Sequence, residues 1–156
     1  MEILNFMEKA RRGSAKAAFN VYRNAVGYPR IVSRICPGRC LDVCPCKEHG
    51  GSVNLPELEK ATLALTKDTA PTDYNIPAKK ERIAIIGAGA AGIGALLRLS
   101  TKKYHVEVFE KSNVIGGWLR EAIEPEIVEA DFNEQLQFQD YEIHFNTEIS
   151  DPSQLK

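Results

Sequence analysis

At 156 residues the chain can hold one ordinary domain or two small ones. Its formal net charge of −1 and pI near 6.3 give no field that would draw in nucleic acid or an anionic membrane surface. No apolar run approaches the ~20 residues needed to cross a bilayer. The N-terminus lacks the apolar core of a secretory signal, and Glu2 and Glu8 beside Lys9, Arg11, Arg12 and Lys16 argue against a transit peptide, so a cytoplasmic protein is expected.

Ile3 to Arg11 can form a short helix that breaks at Gly13. Ser14 is placed to cap a second helix, Ala15 to Ala25, with Ala18, Phe19, Tyr22 and Val26 on one face. Gly27 lies just past its end, and Tyr28-Pro29 closes it. Two such helices are too little for a core of their own, so they must pack on the cysteine segment or on another surface.

Four cysteines then fall within eleven residues, Cys36, Cys40, Cys44 and Cys46, spaced C-x3-C-x3-C-x-C. In a reducing compartment such a run points to metal rather than to disulfides. Zinc sites usually pair C-x2–4-C knuckles across a longer loop, and this run does not. Thiolates beside prolines suit an iron–sulfur cluster better. From the residues alone, a cluster, zinc and redox-active thiols all stay open. Cys36, Cys40 and Cys44 form the leading ligand set, Cys46 is close to Cys44 for the same cluster, and His49 is a further possible ligand.

After Gly50-Gly51, Asn54 can cap a helix from Leu55 to Thr66, with Pro56 in the first turn and Glu57 at the capping-box position. Leu58, Leu63 and Leu65 supply its apolar surface, and Glu59 reads as a solvated helix residue. Lys67 to Glu81, with two prolines and no period, is a linker. It puts the domain boundary near residue 75: a helical domain with linker over 1–75 and a nucleotide-binding unit over 76–156.

That second unit opens with an apolar strand, Ile83 to Ile86, then Gly87-Ala88-Gly89-Ala90-Ala91-Gly92, then a helix-forming segment, Ile93 to Ser100. Gly87 permits the tight turn, Gly89 offers no side chain to hold off a pyrophosphate, and Gly92 lets helix and strand approach. A phosphate can then rest on the helix N-terminus. A second strand, Val106 to Phe109, ends in Glu110, about the ~20 residues downstream at which a carboxylate grips the ribose hydroxyls. Lys111 and the double glycine Gly116-Gly117 follow. An adenine dinucleotide is the expected ligand, with FAD and NAD both open. Beyond Trp118-Leu119-Arg120, Pro125 begins a helix to about Gln137 with Ile127, Val128, Phe132 and Leu136 facing inward. Tyr141 to Phe145 alternates as a third strand, which makes the sheet parallel with right-handed crossovers. His105 and His144 sit at strand edges with no evident partner and read as structural.

The chain resembles the N-terminal part of the glutamate synthase small-subunit family of FAD-dependent, iron–sulfur, NAD(P)H-linked oxidoreductases. The resemblance is carried by ICPGRCLDVC, VNLPELEKA, IAIIGAGAAGIGALLRLS, VEVFEK and IGGWLR in that order. It implies a small all-α iron–sulfur domain followed by an incomplete α/β Rossmann-type, FAD-binding half with a parallel sheet. It also implies FAD on Gly87, Gly89, Ala90, Ala91, Gly92, Glu110, Lys111, Gly116, Gly117 and Trp118. A [4Fe–4S] cluster would fall on Cys36, Cys40 and Cys44, with Glu59 as an oxygen ligand or the extra Cys46 completing it. The E-x5-GG spacing from Glu110 matches the FAD-binding half of such two-dinucleotide flavoproteins.

The family's first four-cysteine group is absent, so at most one complete cluster is expected. Glu121-Ala122 stands where an aromatic residue and a glycine are usual. The sequence stops before any NAD(P)H domain, so a fragment or a subunit completed by other redox subunits is expected, too short to be a whole enzyme. No catalytic side chain stands out. Two rivals follow from the residues: a non-catalytic zinc-binding assembly subunit with a degenerate dinucleotide fold, and a fragment of an NAD-linked dehydrogenase.

Overall fold

The structure, a computed structural model, describes residues 1–155. The chain divides into two compact units, Met1–Thr69 and Ala70–Lys156.

The first unit is helical. Helices α1 (Ile3–Arg11) and α2 (Ala15–Val26) pack together, and α2 also packs on α4 (Leu55–Leu65). Phe6, Ala18, Phe19 and Tyr22 are fully buried there with Leu55, and Cys40 lies partly buried against them. Ser14 occupies the N-cap of α2 without making a side-chain cap. Gly27, at φ +81°, ends that helix.

Pro29 does not close a helix but opens one, α3 (Pro29–Ile35), so three helices rather than two precede the cysteines. The first helical position is where proline's missing N–H and fixed φ cost nothing. In α4, Asn54 caps the helix as expected, its Oδ1 accepting from Glu57 N at 3.4 Å, while the Glu57 carboxylate pairs with Lys60 at 2.8 Å. The buried face of α4 is Leu55, Glu59 and Thr62; Leu65 is 71% exposed and Leu58 also reaches solvent.

The second unit is a three-stranded parallel sheet in the order β1 (Arg82–Ile86), β2 (His105–Phe109), β3 (Tyr141–His144). Parallel neighbours need crossovers. These are α5 (Ala90–Ser100) between the first two strands, and α6 (Leu119–Ala122) with α7 (Pro125–Leu136) between the next two. Register pairs Ile83 with Val106 and Ile85 with Val108, and Val108 with Ile143, giving one apolar face. Val106 and Val108 are buried there.

Phe132 of α7 meets Tyr141 edge-on at 5.9 Å, and Val128, Phe132 and Leu136 are buried as the helical period requires. The opposite sheet face mixes Ala84, Ile86 and Phe109 with a polar cluster. Glu107 accepts from Arg82 and lies 3.2 Å from His144 Nε2, while His144 stacks on Phe109 at 4.7 Å. His105 meets Asp140 at 2.9 Å. Both histidines thus have partners that no strand pattern shows, because these arise from cross-strand register and from a loop residue.

Candidate dinucleotide and metal sites

The turn after β1 is built from three glycines with different jobs. Gly87, at φ +94°, takes a left-handed conformation that side chains resist, and its N–H donates to Phe109 O at 2.8 Å. Gly92 is the closest approach: a Cβ there would lie 1.8 Å from Gly87 O. A Cβ on Gly89 would meet nothing within 4 Å, so this position faces open space at the start of α5. Helix α5 begins at Ala90 and has no side-chain cap, which leaves its first N–H groups and its dipole for an anion.

The double glycine completes the cradle. Gly89 and Gly116 form an isolated parallel bridge, and Gly116 N donates to Ala88 O at 2.8 Å. A Cβ on Gly117 would lie 3.3 Å from Gly89 Cα, so the chain after β2 lies directly against the glycine turn. Both glycines have positive φ. Trp118 follows, 55% exposed, and Lys111 is exposed beside Glu110.

Glu110 sits where β2 ends, its carboxylate fixed by main-chain donors. Oε2 accepts from Ala88 N at 2.6 Å and Oε1 from Ser112 N at 2.8 Å. Burial pushes this carboxyl up, but the N–H groups of Ser112 and Ala88, the Ser112 side chain and the Lys111 charge together outweigh it and hold the pKa below the usual glutamate value. An ionised carboxylate has about four lone-pair positions. Two are used by the protein, so each oxygen can accept one more hydroxyl. Sequence reasoning missed Ser112 and Ala88 as the groups that aim Glu110. The Glu-x-Ser spacing at the end of a strand, a local turn in which a side chain takes a nearby N–H, was the available signal.

In the helical unit Cys36 and Cys46 are exposed, Cys40 and Cys44 half-buried, and all four are free thiols. Cys44 Sγ accepts from Val53 N at 3.4 Å. That N–H, with those of Cys46 and Lys47 and the Cys46 side chain, lowers the Cys44 pKa against the upward push of burial. Gly38, between Cys36 and Cys40, is held near α4: a Cβ on it would lie 3.5 Å from Pro56.

One turn further along α4, Glu59 is only 9% exposed. This overturns its reading as a solvated residue. Burial raises its pKa, and among the described residues its carboxylate accepts no hydrogen bond. Among the described residues, no three of these cysteines, His49 and Glu59 present ligand atoms within 4.8 Å of one another.

A family model described as an NAD(P)-binding Rossmann-like domain matches residues 85–141. UacF of Escherichia coli K12, named as an oxidoreductase, is 30% identical over 127 residues, which are 79% of this chain and 20% of that protein. The PreT homologue of Salmonella typhi, named as an NAD-dependent dihydropyrimidine dehydrogenase subunit, is 35% identical over 104 residues, 64% of this chain and 24% of that one. The glutamate synthase (NADPH) small chain of Bacillus subtilis is 26% identical over 110 residues, 69% and 22% of the two chains.

The chain spans about a fifth to a quarter of the length of these relatives. It is similar in sequence to glutamate synthase small chains and to PreT-like NAD-dependent oxidoreductases, so the resemblance carried by its motifs holds, and a redox role is supported. No helix among the described residues is long and apolar enough to cross a membrane.

Proposed function

We propose that the chain is an electron-transfer module of an FAD- and iron–sulfur-containing NAD(P)H oxidoreductase of the cytoplasm. The observation that carries this is the cradle at the end of β1: an uncapped helix start, an open Gly89, and a fixed carboxylate at Glu110 with lone pairs to spare. Those features fit the diphosphate and ribose of an adenine dinucleotide. Gly87, Gly89, Ala90, Ala91 and Gly92 receive the diphosphate, and Glu110 accepts from the ribose hydroxyls. Lys111, Gly116, Gly117 and Trp118 shape the rim. FAD is favoured over NAD by the E-x5-GG spacing from Glu110, which resembles that of two-dinucleotide flavoproteins.

The C-x3-C-x3-C-x-C spacing of the cysteine segment suits a cluster better than the paired knuckles of a single zinc. Cys36, Cys40 and Cys44 would hold a [4Fe–4S] cluster. Glu59, buried and without a hydrogen bond, is taken for the fourth position, with Cys46, exposed like Cys36, as the alternative. The N–H of Val53 would donate to a ligand thiolate at Cys44. Bound flavin supplies the conversion of a two-electron hydride into single electrons. The chain's own residues bind and orient the dinucleotide, and no side chain is assigned as acid, base or nucleophile. Other redox subunits or the remainder of the flavoprotein complete the assembly and bind NAD(P)H.

Purification without oxygen tests this directly. Iron and sulfide in equal amount with a broad visible band, and flavin fluorescence released on heating, are the expected result. Zinc without colour would sink the cluster, and a bound nicotinamide without flavin would make the unit a dehydrogenase fragment.

A further inference from the structure

The near-neutral chain conceals a positively charged helical unit: residues 1–69 hold eleven Lys and Arg against seven Asp and Glu. Four of these cations line one cleft of about 510 Å³: Arg30 and Arg34 on α3, Lys60 on α4, and Lys67 just beyond it. No carboxylate lines the cleft; its remaining walls are hydroxyl and aliphatic side chains.

Like charges brought together repel, so such a set calls for a compensating partner. Structural contacts account for only part of it. Lys60 pairs with Glu57 at 2.8 Å, and Arg30 donates to Thr69 Oγ1 at 3.0 Å and makes further contacts of its own, so the uncommitted charge lies with Arg34 and Lys67. Arg34 donates from Nη1 to the Arg30 carbonyl at 3.1 Å, which leaves the rest of its fork free. Lys67 holds no acidic partner among the described residues.

We propose that this cleft binds a ligand carrying two or more oxyanion charges, phosphoryl or carboxylate. Guanidinium forks match two oxygens of either group, and the lysines add compact point charges. The volume falls within the ~300–1,000 Å³ usual for small-molecule sites, room for more than one anionic group. Arg34 lies two residues before Cys36 and Lys60 directly follows Glu59, so the occupant binds beside the cysteine segment. Binding itself does not depend on a cluster being there, and the cations are largely exposed, so it weakens with salt.

The test is calorimetric titration of the whole chain with pyrophosphate and, separately, with citrate. One-to-one binding of at least one probe, with Kd below about 1 mM at low salt, is expected. The Arg34→Gln/Lys67→Gln double variant should lose at least about tenfold in affinity while its circular dichroism stays unchanged, and Lys67→Gln alone should lose part of that. A preference for pyrophosphate assigns a phosphoryl ligand, and a preference for citrate a carboxylate. If neither probe binds with Kd below about 1 mM, or binding survives the double variant, the cleft is not an anion site, and a fall with Gly92→Ala instead would move the binding to the glycine turn.

Discussion

Two glycines two residues apart on α5, on opposite faces of the helix, have opposite expected responses to the same methyl group. At Gly92 the new Cβ would lie 1.8 Å from Gly87 O and 2.9 Å from Gly87 C, both backbone atoms that no rotamer change can move aside. The start of the helix must shift away from the turn by more than an ångström. Inserting a group into such a packed place costs about 1–3 kcal/mol, and a backbone obstacle puts Gly92→Ala near the upper end. The gain in helix propensity, up to about 1 kcal/mol, returns only part of it. At Gly94 a Cβ meets nothing within 4 Å, so Gly94→Ala keeps that gain and stabilises the unit. Urea denaturation of both variants reads the difference. With a slope of about 1–3 kcal/mol per molar, the two midpoints should separate by roughly 1 M or more. Dinucleotide affinity should fall at least about tenfold for Gly92→Ala and stay level for Gly94→Ala. Equal midpoints would refute the claim that strand–helix proximity is why position 92 is glycine.

The ribose contact is tested by Glu110→Gln, which should weaken adenine-dinucleotide binding by about 1–3 kcal/mol in a titration followed by fluorescence. Because Glu110 has a folded pKa below its unfolded one, its contribution to stability is present above the unfolded glutamate value of about 4.3 and is lost as pH falls through the folded value. Acid denaturation of the Gln variant should lose that component of the pH dependence. Gly117→Ala places a side chain at φ +52° and 3.3 Å from Gly89 Cα. It should cost about 1–2 kcal/mol and loosen the rim, read as a lower thermal midpoint together with weaker dinucleotide binding. In the helical unit, Cys44→Ser and Glu59→Ala should each lower iron content after anaerobic preparation, while Cys46→Ser should retain it; the reverse order would give the fourth position to Cys46.

What could be read in advance divides along the range of the forces involved. The glycine turn, its flanking strand and helix, and the distance to Glu110 are local, and the sequence shows them because each glycine answers a backbone requirement within a few residues. The apolar part of the inner face of α7 was legible for the same reason, since Val128, Phe132 and Leu136 recur at helical spacing, but Ile127 is only half-buried and Asp131 and Gln135 join that face unannounced. Helix α3 was missed because Pro29 looks like a stop until its position at the first helical turn is known. Glu59 was misjudged because composition alone favours Leu58 and Leu65 as the inner face of α4, whereas the packing of α4 buries Leu55, Glu59 and Thr62. No local pattern predicts that a carboxylate will be taken out of water. The His144–Phe109 stack likewise depends on how β3 aligns beside β2.

The Ala88–Glu110–Ser112 contacts show how a site can be prepared before its ligand arrives. Phe109 O receives the N–H of Gly87, Glu110 receives those of Ala88 and Ser112, and Ala88 O receives that of Gly116. The turn after β1, the end of β2 and the double glycine are therefore tied together through main-chain groups. Two short loops and a strand end would lose conformational freedom on gripping a dinucleotide, and much of that ordering is already present. The bonds from Ala88 and Ser112 hold the Glu110 pKa below the ordinary glutamate value, which favours the ionised form that accepts from hydroxyls. Burial alone would have pushed the carboxyl the other way. The direction of the shift lies with the N–H groups of Ser112 and Ala88, the Ser112 side chain and the Lys111 charge, rather than with the acidic residue itself.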